Sequence, residues 1–227
     1  MSSFDFGLIL KVITSPNSAF ARIRDNEEQY FIQSIGLLIV ASILGGVAVL
    51  PFVMMPLDDA YFEFTEEAEF DETFPLEENA VGFAIGSTLL TGVVSAILYY
   101  FIGKKLDGNT NWKKVFTVVF HTNAVVIPIT IVMALLLFLM WDSFTSIDPS
   151  LFLDSNLDEE DVFPLLSSFI GHVALLTIMG IGFAIWALIV AIKAIKTVHG
   201  FGTGKAFGLI LLVGILTSFV SIPFSFG

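Results

Sequence analysis

The sequence contains no cysteine and few charged residues. Without cysteine there are no disulfides, thiolate metal sites or cysteine nucleophiles. Only 14% of the 227 residues are charged, whereas an ordinary soluble domain has roughly 25%. Hydrophobic residues make up 56% of the chain and the mean hydropathy is +0.87. This composition excludes a water-soluble globule and indicates a membrane protein.

Long apolar blocks account for most of the chain. Five blocks contain no Asp, Glu, Lys or Arg: residues 31–54, 80–102, 115–140, 165–192 and 206–226. The shortest has 21 residues, which as a helix extends roughly 31 Å, about the thickness of the hydrocarbon core. We therefore predict an all-α integral membrane protein with a single five-span domain over residues 31–227. Residues 1–30 lack the pattern of a cleaved signal peptide and are expected to remain attached.

Charge is distributed unequally between the connecting segments. All ten basic residues lie before the first block, between the second and third, or between the fourth and fifth. The loops over residues 55–79 and 141–164 contain ten and seven acids respectively, and no base. The positive-inside rule therefore predicts a cytoplasmic N-terminus, an extracytoplasmic C-terminus and acidic outer loops.

Residues 1–30 have the pattern of an amphipathic cytoplasmic segment. Apolar side chains recur at helical spacing at Phe6, Leu10 and Ile13. Ser15 followed by Pro16 predicts the start of a second short helix. We expect the segment to lie in the membrane interface, with Phe20 and Ile23 against the lipid.

A few polar residues fall inside the apolar blocks. His121 and Asn123 lie in the third block and His172 lies in the fourth. Counting from the block ends puts the two histidines in opposite leaflets, which disfavours a shared metal or proton site. We interpret them as interhelical hydrogen-bonding groups. Transport or proton handling, assisted by a kink at Pro128, is the alternative.

Small residues mark candidate helix contacts. Gly82 and Gly86 form a GxxxG pattern, and the pairs Ser42 with Gly46 and Ala41 with Gly45 are similar. Contacts within one chain are the simpler interpretation, and an interface between copies is the alternative.

Three lysines flank the last cytoplasmic turn. Lys193 and Lys196 are on one face of a continuing helix, and Lys205 lies beside the start of the next helix. They are candidate contacts for a lipid headgroup, unless they serve only as orientation signals. No catalytic, metal or cofactor motif accompanies them. The expected partners are membrane lipids, other membrane proteins or a second copy, and no nucleic acid.

Several stretches resemble the Yip family of Ypt/Rab-interacting membrane proteins in its short prokaryotic form. They are Thr14-Ser15-Pro16 with Ala19-Phe20, the loop from Lys104 to Lys114 running into Phe116, and WALIVAIKAIKTVHGFGTGKA from Trp186 to Ala206. The resemblance implies a five-span protein of a prokaryotic cytoplasmic membrane. Eukaryotic relatives bind prenylated small GTPases through a long cytoplasmic region. Because only 30 residues precede the first block and Asp107-Gly108-Asn109 stands at the family's loop glycine pair, GTPase binding is not predicted.

Two functions remain open from the sequence. The leading hypothesis is a non-enzymatic protein that organises the membrane or acts as a scaffold or adaptor. The alternative is a small transporter or channel, but an odd number of spans without a similar pair of interrupted helices disfavours an inverted repeat.

Overall fold

The computed structural model describes residues 4–48, 76–140 and 159–221, and these three ranges contain helices and no strand. In chain order the helices are α1 Phe6–Thr14, α2 Pro16–Asp25, α3 Glu27–Val47, α4 Leu76–Lys105, α5 Trp112–His121, α6 Asn123–Leu139, α7 Glu159–His199 and α8 Thr203–Ser221. Most of both acidic loops lies outside the described residues. α4 begins at Leu76 and α7 at Glu159, so each helix starts a few residues before the end of the loop predicted over residues 55–79 or 141–164.

Four helical segments are long and apolar enough to cross a membrane: Glu27–Val47, Ala80–Lys105, Trp112–Leu139 and Ile170–His199. A shorter apolar helix, Thr203–Ser218, corresponds to the fifth predicted span. The all-helical membrane architecture is therefore confirmed, with four candidate spans established by length and composition. The spans Ala80–Lys105 and Trp112–Leu139 extend beyond their apolar blocks into lysines. A lysine is tolerated at a helix end because its long apolar stem allows the charged head to reach the membrane surface.

The third candidate span is interrupted six residues before its proline. Helical hydrogen bonding breaks at Thr122, between α5 and α6, while Pro128 lies inside α6. At the break, the hydroxyl of Thr122 donates to the carbonyl oxygen of Val119 at 2.6 Å. A hydroxyl that bonds back to its own helix competes with the regular backbone pattern. Pro128, where the sequence predicts a kink, lies further along, inside α6.

The helix ends that carry lysine meet at one end of the bundle, which we call the basic end. It comprises the C-terminal ends of α4 and α7, the N-terminal ends of α5 and α8, and α1 and α2. The contacts that join them include Lys113 with Glu28, Lys114 with Glu27, and the Arg24 guanidinium with the carbonyl oxygen of Thr197. The fold thus gathers segments that are up to 173 residues apart in sequence.

The first two helices are part of the protein core. α1 packs against α2 and α6, and α2 packs against α5 and α7. Leu8, Val12, Phe20 and Ile23 are completely buried in a cluster that also includes Val118. The two predicted short helices are present, but the expectation that Phe20 and Ile23 face lipid is wrong. Their side chains fill the space between α2 and the neighbouring helices, where burial against protein removes the same apolar area from water.

The opposite face of α1 is also apolar, but it contacts no core. Phe6 and Leu10, one helical turn apart, are 74% and 60% exposed, and Phe4 just before them is 46% exposed. α1 therefore has apolar side chains both toward the bundle and away from it. A helix that is apolar on both sides is typical of one surrounded by protein and lipid rather than by water.

Glycines permit close contact between α3 and α4. A Cβ atom built on Gly46 would lie 2.4 Å from Cγ1 of Ile85 and 3.0 Å from the carbonyl oxygen of Val81. Gly92 has a similarly close neighbour, Leu38. Ser42 and Ala41 are buried on the same side of α3, so the small-residue pairs on α3 do pack within the chain.

The GxxxG pair on α4 behaves differently. Gly82 and Gly86 are exposed, and no described atom lies within 4 Å of a Cβ built on either one. The face of α4 that meets α3 is the one bearing Ile85 and Gly92, so this pair does not contribute to that contact, and its role in helix packing stays a prediction.

Candidate functional site at the basic end

Asp5 joins the first three helices at the basic end. Its carboxylate caps α1 by accepting a hydrogen bond from the backbone N–H of Leu8 at 2.9 Å, and pairs with the Arg22 guanidinium of α2 at 3.0 Å. The hydroxyl of Tyr30 in α3 approaches the same carboxylate at 3.5 Å. The Gln33 side-chain amide both donates to and accepts from the Asp5 backbone at 3.3 Å. One acidic residue thus fixes α1 to α2 and α3.

Further charged contacts hold the helix ends together. Lys113 pairs with Glu28 and its ammonium also lies over the Phe31 ring. Lys114 pairs with Glu27 at 3.8 Å. Glu27 and Glu28 lie in the first turn of α3, where the helix dipole favours negative charge. These pairs explain why α3 begins four residues before its apolar block.

Arg24 and Asp25 form a pair at the surface of α2. The hydrogen bond from the Arg24 guanidinium, at 2.8 Å, lowers the pKa of the Asp25 carboxyl below its ordinary value. Asp25 is exposed and Arg24 is half-buried, so the pair lies at the surface, where ion pairs contribute little to folding. The second bond of Arg24, to the end of α7, is the contact that ties α2 to the bundle.

His121 is completely buried in α5 beside Tyr30, with the two rings edge to face and 6.2 Å between centroids. Its Nδ1 bonds the carbonyl oxygen of Thr117 in the same helix at 2.7 Å, and its Nε2 has no partner in the structure. The Asn123 side-chain amide likewise donates locally, to the carbonyl oxygen of Phe120 at 3.0 Å. Within the described part of the chain, both of these bonds go to carbonyl oxygens of the preceding helical turn rather than to another helix.

His172 lies far from this group. It is half-buried in α7, 27 residues before the end of that helix at His199, which places it about 40 Å along the helix from the basic end. His121 is nine residues, or about 14 Å, from the start of α5. The structure thus keeps the two intramembrane histidines in opposite halves of the bundle, as the residue count predicted.

The three candidate lipid-contacting lysines lie at the basic end. Lys193 and Lys196 are both on α7, half-buried and exposed respectively, and Lys205 is exposed in the first turn of α8. The Lys205 ammonium lies 3.5 Å from the carbonyl oxygen of Leu106 and 5.8 Å from the centroid of the Phe201 ring. Lys205 therefore links the α4 to α5 connection with the start of α8.

A buried histidine that sequence reasoning did not select lies next to Lys205. His199, the last residue of α7, is 3% exposed and stacks on Phe201 with 5.0 Å between ring centroids. The only sequence signal was its position before glycine at the end of a helix, which is a common terminator pattern. Its neighbours across the junction, Gly103 and Gly108, are about 90 residues earlier and could not be identified from spacing.

Positive charge and apolar surface lie side by side at the basic end. Within residues 4–48, 76–140 and 159–221, no group of three or more His, Asp or Glu residues could hold a metal ion. The lysines exposed at this end offer positive charge to anionic groups. The exposed aromatic and aliphatic side chains of α1 offer an apolar surface beside them.

Comparison with known protein families gives a match over nearly the whole chain. A family model described as the Yip1 domain matches residues 10–223, from the middle of α1 to beyond the end of α8. The match therefore includes the second half of α1 and all the other helices that form the basic end. Neither the curated proteins nor the solved structures give a match.

Proposed function

The chain belongs to the Yip1 domain family, and from that premise we propose that it is a non-enzymatic membrane-organising protein that also acts as a scaffold at its basic end. The observation that supports this is the position of α1 and α2. Both helices are packed among the spans at one end only, and the outward face of α1 is apolar.

Extra helices at one end widen the protein in one leaflet. In α7, the buried side chains described lie between Val190 and His199. Ile178 and Ile181, nearer the middle of the helix, are more than half exposed. The described core is therefore concentrated toward the basic end. Apolar side chains inserted at the level of one leaflet make binding sensitive to membrane curvature. A wider basic end would favour a membrane that curves away from that side.

We place the basic end in the cytoplasm of a prokaryotic cell, with α8 as the fifth span. The positive-inside rule supports this orientation because all ten basic residues fall on one side of the predicted topology. α8 has 19 described residues, which extend about 28 Å and nearly match the hydrocarbon thickness.

Lipid headgroups are the proposed partners of Lys193, Lys196 and Lys205. Each basic residue near an anionic leaflet contributes about 1 kcal/mol of attraction. Other membrane proteins or a second copy are the proposed scaffold partners. Transport is not proposed, since His121 and His172 lie in opposite halves of the bundle and the hydrogen bond of His121 is to its own helix.

Curvature preference tests the proposal directly. The purified protein, reconstituted into a mixture of small and large unilamellar vesicles, should be enriched per unit of lipid area in the small ones. A variant with Phe6→Ala and Leu10→Ala should lose the enrichment, because the outward face of α1 then has less apolar area to insert into the leaflet. Orientation in the vesicles is read from labelling of a single cysteine at Asn109, so that only molecules with the basic end outward are compared.

The matched control removes exposed apolar side chains from a membrane-spanning helix instead of from α1. Ile131 and Leu135 are exposed on α6, 43% and 57%, within a candidate span. The double variant Ile131→Ala and Leu135→Ala should keep the enrichment. Equal partitioning of the native protein, or equal losses in both double variants, would contradict a role for α1 in shaping the membrane.

A further inference from the structure

Two helix ends of similar geometry meet at the basic end. α7 ends at His199, and the next residue, Gly200, has a φ of +73°. The backbone N–H of Phe201 then bonds back to the carbonyl oxygen of Lys196 at 3.1 Å. A residue in the left-handed region followed by a bond across the last turn is a common helix terminator.

α4 ends in the same way. Asp107 has a φ of +66°, which is unusual for a residue other than glycine. The backbone N–H of Gly108 bonds back to the carbonyl oxygen of Gly103 at 2.9 Å. The two terminators are adjacent in space, with the side chain of His199 between them.

The His199 ring occupies a cradle formed by two glycines. A Cβ on Gly103 would lie 2.3 Å from Cε1 and 2.7 Å from Nε2 of the ring, and a Cβ on Gly108 would lie 2.5 Å from Nδ1. The stacked Phe201 ring covers one face. The imidazole therefore joins the end of α7 to the end of α4 by close packing that only glycine allows on the α4 side.

Among the residues that the structure describes, neither ring nitrogen of His199 has a hydrogen-bond partner. A neutral imidazole has one donor and one acceptor, whereas a protonated ring has two donors and a positive charge. Burying a charge without a partner is far more costly than burying a neutral polar group. The cradle can therefore hold the neutral ring but is poorly suited to the charged ring.

The surrounding charges strengthen this preference. The charged residues on the elements that form or contact the cradle are Lys104 and Lys105 at the end of α4, Asp107 just after it, Lys196 on α7, Lys205 on α8, and the α2 pair Arg24 and Asp25, of which Arg24 bonds the carbonyl oxygen of Thr197. Five are positive and two are negative. Asp107 is exposed, and within the described residues it forms no ion pair with His199.

We propose that His199 is a proton-sensitive latch that joins the ends of α4 and α7 when neutral and releases them when protonated. Release separates the end of α4, which carries Lys104 and Lys105, from the first turn of α8, which carries Lys205, and so changes the spacing of the positive charges at the basic end. The inference depends on the cradle geometry and does not require that the protein senses curvature.

Distance measurement between the two loops tests the latch. The chain has no cysteine, so spin labels can be attached to Asn109→Cys and Gly204→Cys, both exposed, in the full-length protein. At about pH 7.5 a single short distance is expected, and at about pH 4 a second, longer population should appear. The lower value extends below the interval in which histidine ordinarily changes charge, because protonation must overcome the cost of placing a charge in the buried cradle. The longer population should disappear when the sample is returned to the higher pH.

Two variants separate the latch from other effects of pH. His199→Phe cannot be protonated and should give the short distance at both pH values, and His199→Gln serves the same purpose if the phenyl ring does not pack. Gly103→Ala obstructs the cradle and should give the longer population at both pH values. A native protein with the same distances at both pH values, or a pH response that persists without His199, overturns the proposal.

Discussion

Gly46→Ala should destabilise the bundle by about 1–3 kcal/mol, the usual cost of overpacking a well-filled interface. The added Cβ would meet Cγ1 of Ile85 at 2.4 Å and the backbone oxygen of Val81 at 3.0 Å. Ile85 can rotate, but the backbone of α4 can withdraw only if the two helices separate. The loss is expected in the contact between α3 and α4.

Gly86→Ala is the matched control, because it makes the same chemical change on the other face of α4. No described atom lies within 4 Å of its Cβ position, and alanine favours the helix over glycine by up to about 1 kcal/mol. Unfolding by denaturing detergent, followed by helical circular dichroism, measures both variants. Equal effects at the two positions would show that the α3 to α4 contact is not as close as described.

Asp5→Ala should loosen α1 from the rest of the bundle. The variant loses the α1 cap, worth about 1 kcal/mol, and leaves Arg22 and the Tyr30 hydroxyl without their carboxylate partner. An unpaired buried polar group adds roughly 1–3 kcal/mol. We expect α1 to become the most readily cleaved part of the folded chain in limited proteolysis.

Asp5→Asn distinguishes the role of Asp5 as helix cap from its role as the charged partner of Arg22. An asparagine side chain can still accept the hydrogen bond from the Leu8 N–H, and the ion pair with the half-exposed Arg22 is worth less than about 1 kcal/mol. This variant should therefore remain close to the native protein. Asp25→Ala, which breaks an exposed pair on the same helix as Arg22, should also have little effect. If all three variants are cleaved at the native rate, Asp5 does not hold α1.

The spans could be predicted from sequence because hydrocarbon imposes a minimum apolar length. Blocks 80–102 and 115–140 fall within the helical segments Ala80–Lys105 and Trp112–Leu139 nearly residue for residue. The ends of the spans were predicted less accurately. α3, for example, begins at Glu27 rather than at residue 31, because Glu27 and Glu28 form ion pairs with lysines more than 80 residues away. Such partners are set by tertiary structure and leave no local pattern.

The site was less predictable for the same reason. Phe20 and Ile23 form an apolar stripe that fits lipid or protein equally well, and sequence spacing does not reveal which surface receives it. Asp5 joins α1 to α3 through Tyr30 and Gln33, which are 25 and 28 residues later in the chain. His199 was overlooked because its role depends on the absence of side chains at Gly103 and Gly108.

The environment of Phe6 tests the central claim, that α1 is packed into the bundle with its outward face in lipid. A nitroxide attached to Phe6→Cys in bilayers should relax strongly with oxygen, which concentrates in lipid, and weakly with a water-soluble nickel chelate. The exposed polar residue Asn17, labelled as Asn17→Cys, should show the reverse. A label at residue 6 that responds to the nickel chelate as strongly as the label at residue 17 would place α1 in water and contradict the account.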